Sequence, residues 1–224
     1  MRAWWQAVAA VVWKDMVLEM RTKDMVTAVL FFSLLVLVIF NFALSPTPQM
    51  VAVVAPGVLW VAFVFGGVLG LTRSFAVERE RGNLRALLLA PVGRDAIFFG
   101  KMLAILLLML LVELIVFPVF TVMFNLSAAL PLMIPVALLA TLGIATIGTV
   151  FSAMAANTRA QEVMLPLLFL PVAVPTLIAA VEASGLVIRD GAAGDLGKWL
   201  QFLAVFDVIF LVVCPVAFSQ VVED

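Results

Sequence analysis

Histidine and tyrosine are absent from this 224-residue chain, and cysteine occurs once. Without His, the commonest general base and metal ligand is missing. Without Tyr, any aromatic belt has to come from Trp and Phe. Cys214 lies in an apolar run, so no disulfide framework can form within the chain, and packing is its ordinary role there. Charge is scarce as well, with 12% Asp, Glu, Lys and Arg and a net charge of −1. A soluble domain carries about 25% charged residues, and a near-neutral chain offers no basic surface for nucleic acid. Hydrocarbon takes the place of charge: 66% of the residues are hydrophobic and the mean hydropathy is +1.26. A small soluble domain has too much surface to hide so many apolar side chains. The bilayer is the natural solvent.

A hydrocarbon core about 30 Å thick needs roughly 20 apolar residues of helix. Six runs qualify: residues 25–44, 51–72, 97–124, 130–155, 163–183 and 199–222. The predicted fold class is therefore all-α, one transmembrane domain over residues 1–224 with six spans. A five-span alternative would make one run re-entrant. Basic residues collect on the cytoplasmic side of short loops. Arg2, Lys14, Arg21 and Lys23 precede the first span, Arg73, Arg79, Arg81, Arg85, Arg94 and Lys101 lie between the second and third, and Arg159 between the fourth and fifth. Arg189 and Lys198 alone fall opposite. Six spans with both termini in the cytoplasm fit this alternation. Lys101 is placed at the end of a loop, which leaves no Lys or Arg inside a span to meet an acid.

Residues 1–24 carry too many charges to be a cleavable signal, with Lys14, Asp15, Glu19, Arg21, Lys23 and Asp24 all ahead of the first span. Trp4, Trp5 and Trp13 suit a headgroup layer. Trp5, Val8, Val12, Met16 and Met20 recur at three- and four-residue spacings, which predicts an interfacial helix with an imperfect apolar stripe.

Residues 73–97 are too charged for lipid and too apolar for a plain linker. Leu84, Leu87 and Leu88 share one helical face, and Pro91-Val92-Gly93 ends the helix. Such a ridge either fills a groove on a soluble partner or lies leucines-down on the membrane. The chain holds no phosphate-binding loop of its own. Gly93 to Gly100-Lys101 is one residue too long, and Met102 stands where Ser or Thr would hold magnesium.

Two acids, Glu113 and Asp207, sit within spans, where carboxyls cost about 2.5–3.5 kcal/mol on insertion scales. Counted along oppositely directed helices at 1.5 Å per residue, they fall at similar depth in the outer half. They are expected to be protonated, to share hydrogen bonds, or to face a wet cavity. Thr141, Ala145, Thr149, Ser152 and Ala156 with Gly143 and Gly148, and Gly66, Gly67 and Gly70, read as small-residue packing stripes. Pro166, Pro171 and Pro175 predict a kinked fifth span.

The order of these features resembles a known family. Glu80-Arg81-Gly82-Asn83-Leu84, then Leu88, Leu89, Pro91 and Lys101, resembles the coupling loop of ABC-2-type exporter permeases. The run Ser152-Ala153-Met154-Ala155-Ala156-Asn157-Thr158-Arg159-Ala160-Gln161-Glu162-Val163-Met164-Leu165-Pro166, followed by Pro171 and Pro175, is similar to the haem exporter B (CcmB) permeases of cytochrome c maturation. Glu113 with Pro118, Phe206-Asp207-Val208-Ile209-Phe210, and Leu18-Glu19-Met20-Arg21 resemble the same family. One departure is Gly82-Asn83-Leu84-Arg85, where that family usually reads Gly-Thr-Leu-Glu, so the charge at the implied docking surface differs.

The resemblance implies an ABC-2 (type V) exporter-like permease in a bacterial inner membrane, with a cytoplasmic coupling helix that includes Glu80, Gly82, Leu84, Leu87, Leu88 and Pro91. It also marks Arg159, Glu162 and the proline-bearing helix. The implied partners are two copies of an ABC ATPase, a haem-handling membrane subunit, a small single-span subunit and a haem chaperone. ATP would be turned over by the ATPase, and haem would be the transported or handled ligand. The chain itself is expected to be non-catalytic and to bind no cofactor directly. With no His or Tyr, axial haem ligation would fall to Met or Cys. The alternatives are an ABC-2 permease for a lipid, polysaccharide or drug, and a proton-linked secondary transporter using Glu113 and Asp207 as relay groups.

Overall fold

A backbone in hydrocarbon has to satisfy its N–H and C=O groups within its own segment, so apolar runs of this length fold as helices. The computed structural model describes residues 2–44, 48–80, 92–126, 130–156, 161–190 and 195–221, without the side chains of 44, 48, 49, 52, 73–80, 130, 156, 161, 162 and 190. Its helices are α1 (Arg2–Thr22), α2 (Asp24–Leu44), α3 (Pro48–Glu80), α4 (Arg94–Met123), α5 (Leu130–Ala156), α6 (Gln161–Asp190) and α7 (Leu196–Val221). Helices α2 to α7 are six segments long and apolar enough to cross a membrane. The chain is an all-α, six-span membrane protein.

Two boundaries differ from the expectation. Residues 73–80 continue α3 rather than opening a loop, which adds about 12 Å of helix at 1.5 Å per residue. Helix α6 runs on past residue 183 to Asp190, and Arg189 Nε donates back to the Gly185 carbonyl at 3.1 Å. The same helix is continuous through Pro166, Pro171 and Pro175.

The central elements are α3 and α5, whose spans are each 67% buried, against 22% for α2 and α7. Helix α5 packs against α3, α4, α6 and α7. Its small-residue stripe is the reason: Thr141, Ala145, Thr149 and Ser152 are all fully buried, and Thr149 Oγ1 returns its bond to the Ala145 carbonyl at 2.7 Å. Close approach is built with glycine, as lipid-embedded helices require. A Cβ on Gly148 would lie 2.5 Å from Leu71 Cδ1, and one on Gly66 would lie 2.9 Å from Val29 Cγ1. Polar side chains then tie helices together. Trp60 Nε1 donates to Ser184 Oγ at 2.9 Å (α3 to α6), Asn41 Nδ2 to the Met123 carbonyl at 3.0 Å (α2 to α4), and Arg94 to the Ser219 carbonyl at 3.2 Å (α4 to α7).

Candidate functional site

The register of α4 turns Glu113 inward beside Val112 and Val116, and the side chain is buried. The Thr141 hydroxyl on α5 donates to Glu113 Oε1. Two residues along α5, Gly143 makes a notch for the second acid: a Cβ there would lie 2.7 Å from Asp207 Oδ1 and 3.2 Å from Thr176 Cγ2. Asp207 is buried because it falls on the inner stripe of α7 with Leu203, Cys214 and Phe218. Phe202, Phe206 and Phe210 stack along the same helix, with centroids 5.8 and 4.7 Å apart.

Thr141 and Gly143 are separated by about 3 Å of rise and roughly 200° of rotation. The two carboxyls therefore meet α5 at one level from different sides. Glu113 Oε2, Thr176 Oγ1 and both Asp207 oxygens find no hydrogen-bond partner among the described residues. These atoms form a thin polar layer across α4 to α7. Beside Glu113 lies an apolar groove of about 200 Å³, between Leu110, Leu114, Phe117 and Pro118 of α4 and Ile134 and Leu138 of α5. Glu113 is the ionisable residue in its lining.

A second polar cluster was missed by sequence reasoning. Lys101 is not at a loop end: it stands about two turns into α4, is 1% exposed, and its Nζ lies 2.9 Å from Asp15 Oδ2. Lys14 meets the other Asp15 oxygen at 3.1 Å. The buried face of α1 carries Val8, Val11 and Asp15, and Trp4 Nε1 donates to Asp95 at 2.6 Å. Of the expected stripe, Val8 is buried and Val12 and Met16 are half-buried, while its ends, Trp5 and Met20, are 63% and 75% exposed. Trp4, Val8, Val11 and Asp15 recur at four, three and four residues. That period was open to the sequence reading, but it ends on a charge, whose burial only a partner on α4 explains.

The other expected residues scatter. Glu80 is the last residue of α3, and its side chain is outside the described set; Gly82, Leu84, Leu87, Leu88, Pro91 and Arg159 lie outside the described residues. Glu162 sits in the first turn of α6, again without a described side chain. Pro166 and Pro175 are half-buried and Pro171 exposed. None of the three joins the carboxyl layer, although Thr176, beside Pro175, does. No cluster of three His, Cys, Asp or Glu suited to a metal occurs among the described residues.

Known proteins place these features in a family. The family described as CcmB protein matches residues 6–224. Among curated relatives, heme exporter protein B of Paracoccus denitrificans is 33% identical over 206 residues, 91% of this chain and 93% of its own. Heme exporter protein B of Rhodobacter capsulatus is 34% identical over 164 residues, 73% of each chain. The Escherichia coli protein of that name is 36% identical over 75 residues, 34% of each chain.

Proposed function

Because the chain belongs to the CcmB family, we propose that it is the permease subunit of an ABC transporter complex serving cytochrome c maturation. In this reading a separate ATPase subunit hydrolyses ATP, and the permease couples that work to haem export or to release of a haem-loaded chaperone. The observation that carries the proposal is a family match spanning residues 6–224, joined to relatives whose printed name is heme exporter protein B. A haem-handling membrane subunit, a small single-span subunit and the chaperone complete the complex, in a bacterial inner membrane with both chain termini cytoplasmic.

The ATPase docks on residues 73–97. The extension of α3 to Glu80 and the start of α4 at Arg94 support this assignment. Two rigid helices flank the segment, so a push on it is delivered to spans on either side. Changing Leu84, Leu87 and Leu88 together to Ala is expected to abolish co-purification of the ATPase and the yield of haem-stained c-type cytochrome, with the spans still folded. Intact ATPase association in that triple variant overturns the docking assignment.

Glu113 and Asp207 serve packing and positioning within the bundle. A proton relay needs groups in succession along the membrane normal, and these two are level on α5. No proton flux is therefore expected into liposomes holding the chain and a trapped pH dye. A flux lost in the Glu113→Gln, Asp207→Asn double variant would favour a proton-linked carrier instead.

A further inference from the structure

Helix α1 precedes α2 by one residue in sequence yet is bonded to α4, and the bonds are of four kinds. Lys101 Nζ and Asp15 Oδ2 form a buried ion pair at 2.9 Å. Trp4 Nε1 donates to Asp95 Oδ2 at 2.6 Å, and the Trp4 ring meets Phe99 edge-on at 5.7 Å between centroids. The backbones themselves approach at Gly100, where a Cβ would lie 2.6 Å from Val11 Cβ and 3.3 Å from the Val8 carbonyl oxygen. A contact that close excludes an ordinary side chain and leaves α1 little room to slide.

Over its first half helix α2 is seated on α3 instead, and it reaches α4 at the opposite end, through Asn41 and the Met123 carbonyl. Met25 and Val29 of α2 are buried against Gly70 and Gly66 of α3, and Ser33 Oγ donates to the Ala62 carbonyl at 3.3 Å. Between the two attachments stands Lys23, whose φ of 57° is the left-handed conformation. The helical ladder is otherwise kept across it: Lys23 N–H reaches the Glu19 carbonyl at 2.6 Å, and Thr27 N–H the Lys23 carbonyl at 3.0 Å. Glu19 Oε1 also accepts the Val26 N–H at 2.7 Å across the same residue, so the break between the two helices is confined to Lys23.

We infer that α1 and the base of α4 form one rigid body, that α2 and α3 form another, and that Lys23 is the pivot between them. Helix α1 is a lever arm of α4, held by the Asp15–Lys101 pair, rather than an independent helix lying on the membrane. The segment between α3 and α4 joins the same two bodies. A displacement there would swing α1 together with α4, a consequence that rests on the docking reading above; the division into bodies stands without it.

Spin labels in nanodiscs test the division, in a Cys214→Ala background. One pair, Ala10→Cys with Leu107→Cys, spans α1 and α4; the other, Ala10→Cys with Phe31→Cys, spans α1 and α2. The expected result is a single narrow α1–α4 distance beside a broader α1–α2 one. Lys101→Met removes the cation that α4 supplies to Asp15 and leaves only Lys14 of α1 itself, and the narrow α1–α4 distance is lost. Asp15→Leu with Lys101→Met removes both charges and restores it, which separates release of the lever from misfolding. An α1–α4 distribution as broad as the α1–α2 one in the parent overturns the inference, as does a Lys101→Met variant with both distributions unchanged. Adding the ATPase and nucleotide is a separate arm. There, a shift of the α1–α2 distance at fixed α1–α4 distance supports the docking reading, and no shift counts against that reading alone.

Discussion

Lys23 and Asn125 share a left-handed backbone, each with φ of 57°, but they reach it on different terms. Asn125 ends α4 with its N–H on the Val122 carbonyl and the Leu126 N–H on the Thr121 carbonyl, the arrangement in which Asn commonly closes a helix. Lys23 has no such preference and bears a cost of roughly 1–2 kcal/mol for the crowded Cβ. Lys23→Gly is therefore expected to stabilise the protein by about 0.5–1 kcal/mol, net of the added freedom of the unfolded chain. Lys23→Val should destabilise it, because branching at Cβ makes positive φ a true outlier; thermal unfolding in detergent reads both. Thr141 makes a sharper residue-scale case. Thr141→Val keeps shape but strips the donor from Glu113 Oε1, leaving a second buried oxygen unmet at a cost of about 1–3 kcal/mol. The same assay on Thr141→Ser should show a much smaller loss. Glu113 and Asp207 were legible in the sequence because charge in hydrocarbon stands out. Lys101 was not: seven residues into α4 it looked like the edge of a basic loop, and its burial depends on Asp15, 86 positions away in a helix whose apolar stripe pointed to the membrane surface rather than to α4.

At the scale of elements, glycines decide which helices touch. Gly100 fits α1 so closely that a larger residue has to displace backbone, since Val11 Cβ, fixed to the α1 main chain, lies 2.6 Å from the position of a Cβ. Gly100→Leu is expected to push α1 off α4 and speed trypsin cleavage at Lys14 and Arg21 several-fold, while the six spans stay protected. Unchanged cleavage would show that α1 accommodates the side chain by sliding. Gly148 is the milder counterpart. Its nearest neighbour is the tip of Leu71, which can turn aside, so Gly148→Ala should cost about 1–3 kcal/mol as overpacking does without moving a helix. Element existence was legible because length in hydrocarbon is fixed by bilayer thickness, and six apolar runs gave six helices. Element ends were less so. Arg73 to Glu80 is charged enough to read as a loop and Ser184 to Arg189 lies past the apolar run taken as the fifth span, yet they continue α3 and α6, because helix ladders propagate past the apolar run once a span has nucleated them. Partnership was hardest to see, for nothing in the spacing of α1 names α4 as the helix it binds.

For the molecule as a whole, the polar layer raises the question of whether Glu113 and Asp207 act as one unit. Their similar depth allows it, since the residue count sets both in the same half of the membrane. Their surroundings argue otherwise. Glu113 is held by Thr141 and borders the groove beside Pro118, whereas Asp207 packs on Gly143 near Thr176, and α5 itself stands between them. Groups without shared partners contribute additively to stability within about 0.5 kcal/mol. A double-mutant cycle of Glu113→Gln and Asp207→Asn, read by reversible unfolding in mixed micelles, should therefore close within that margin. Each single change will have its own effect, because each removes a different buried carboxyl from a different setting. A coupling energy above about 1 kcal/mol would instead join the two acids through α5 into one network. In that event their common level would be a functional feature of the permease rather than a result of two helices packing on the same small-residue stripe.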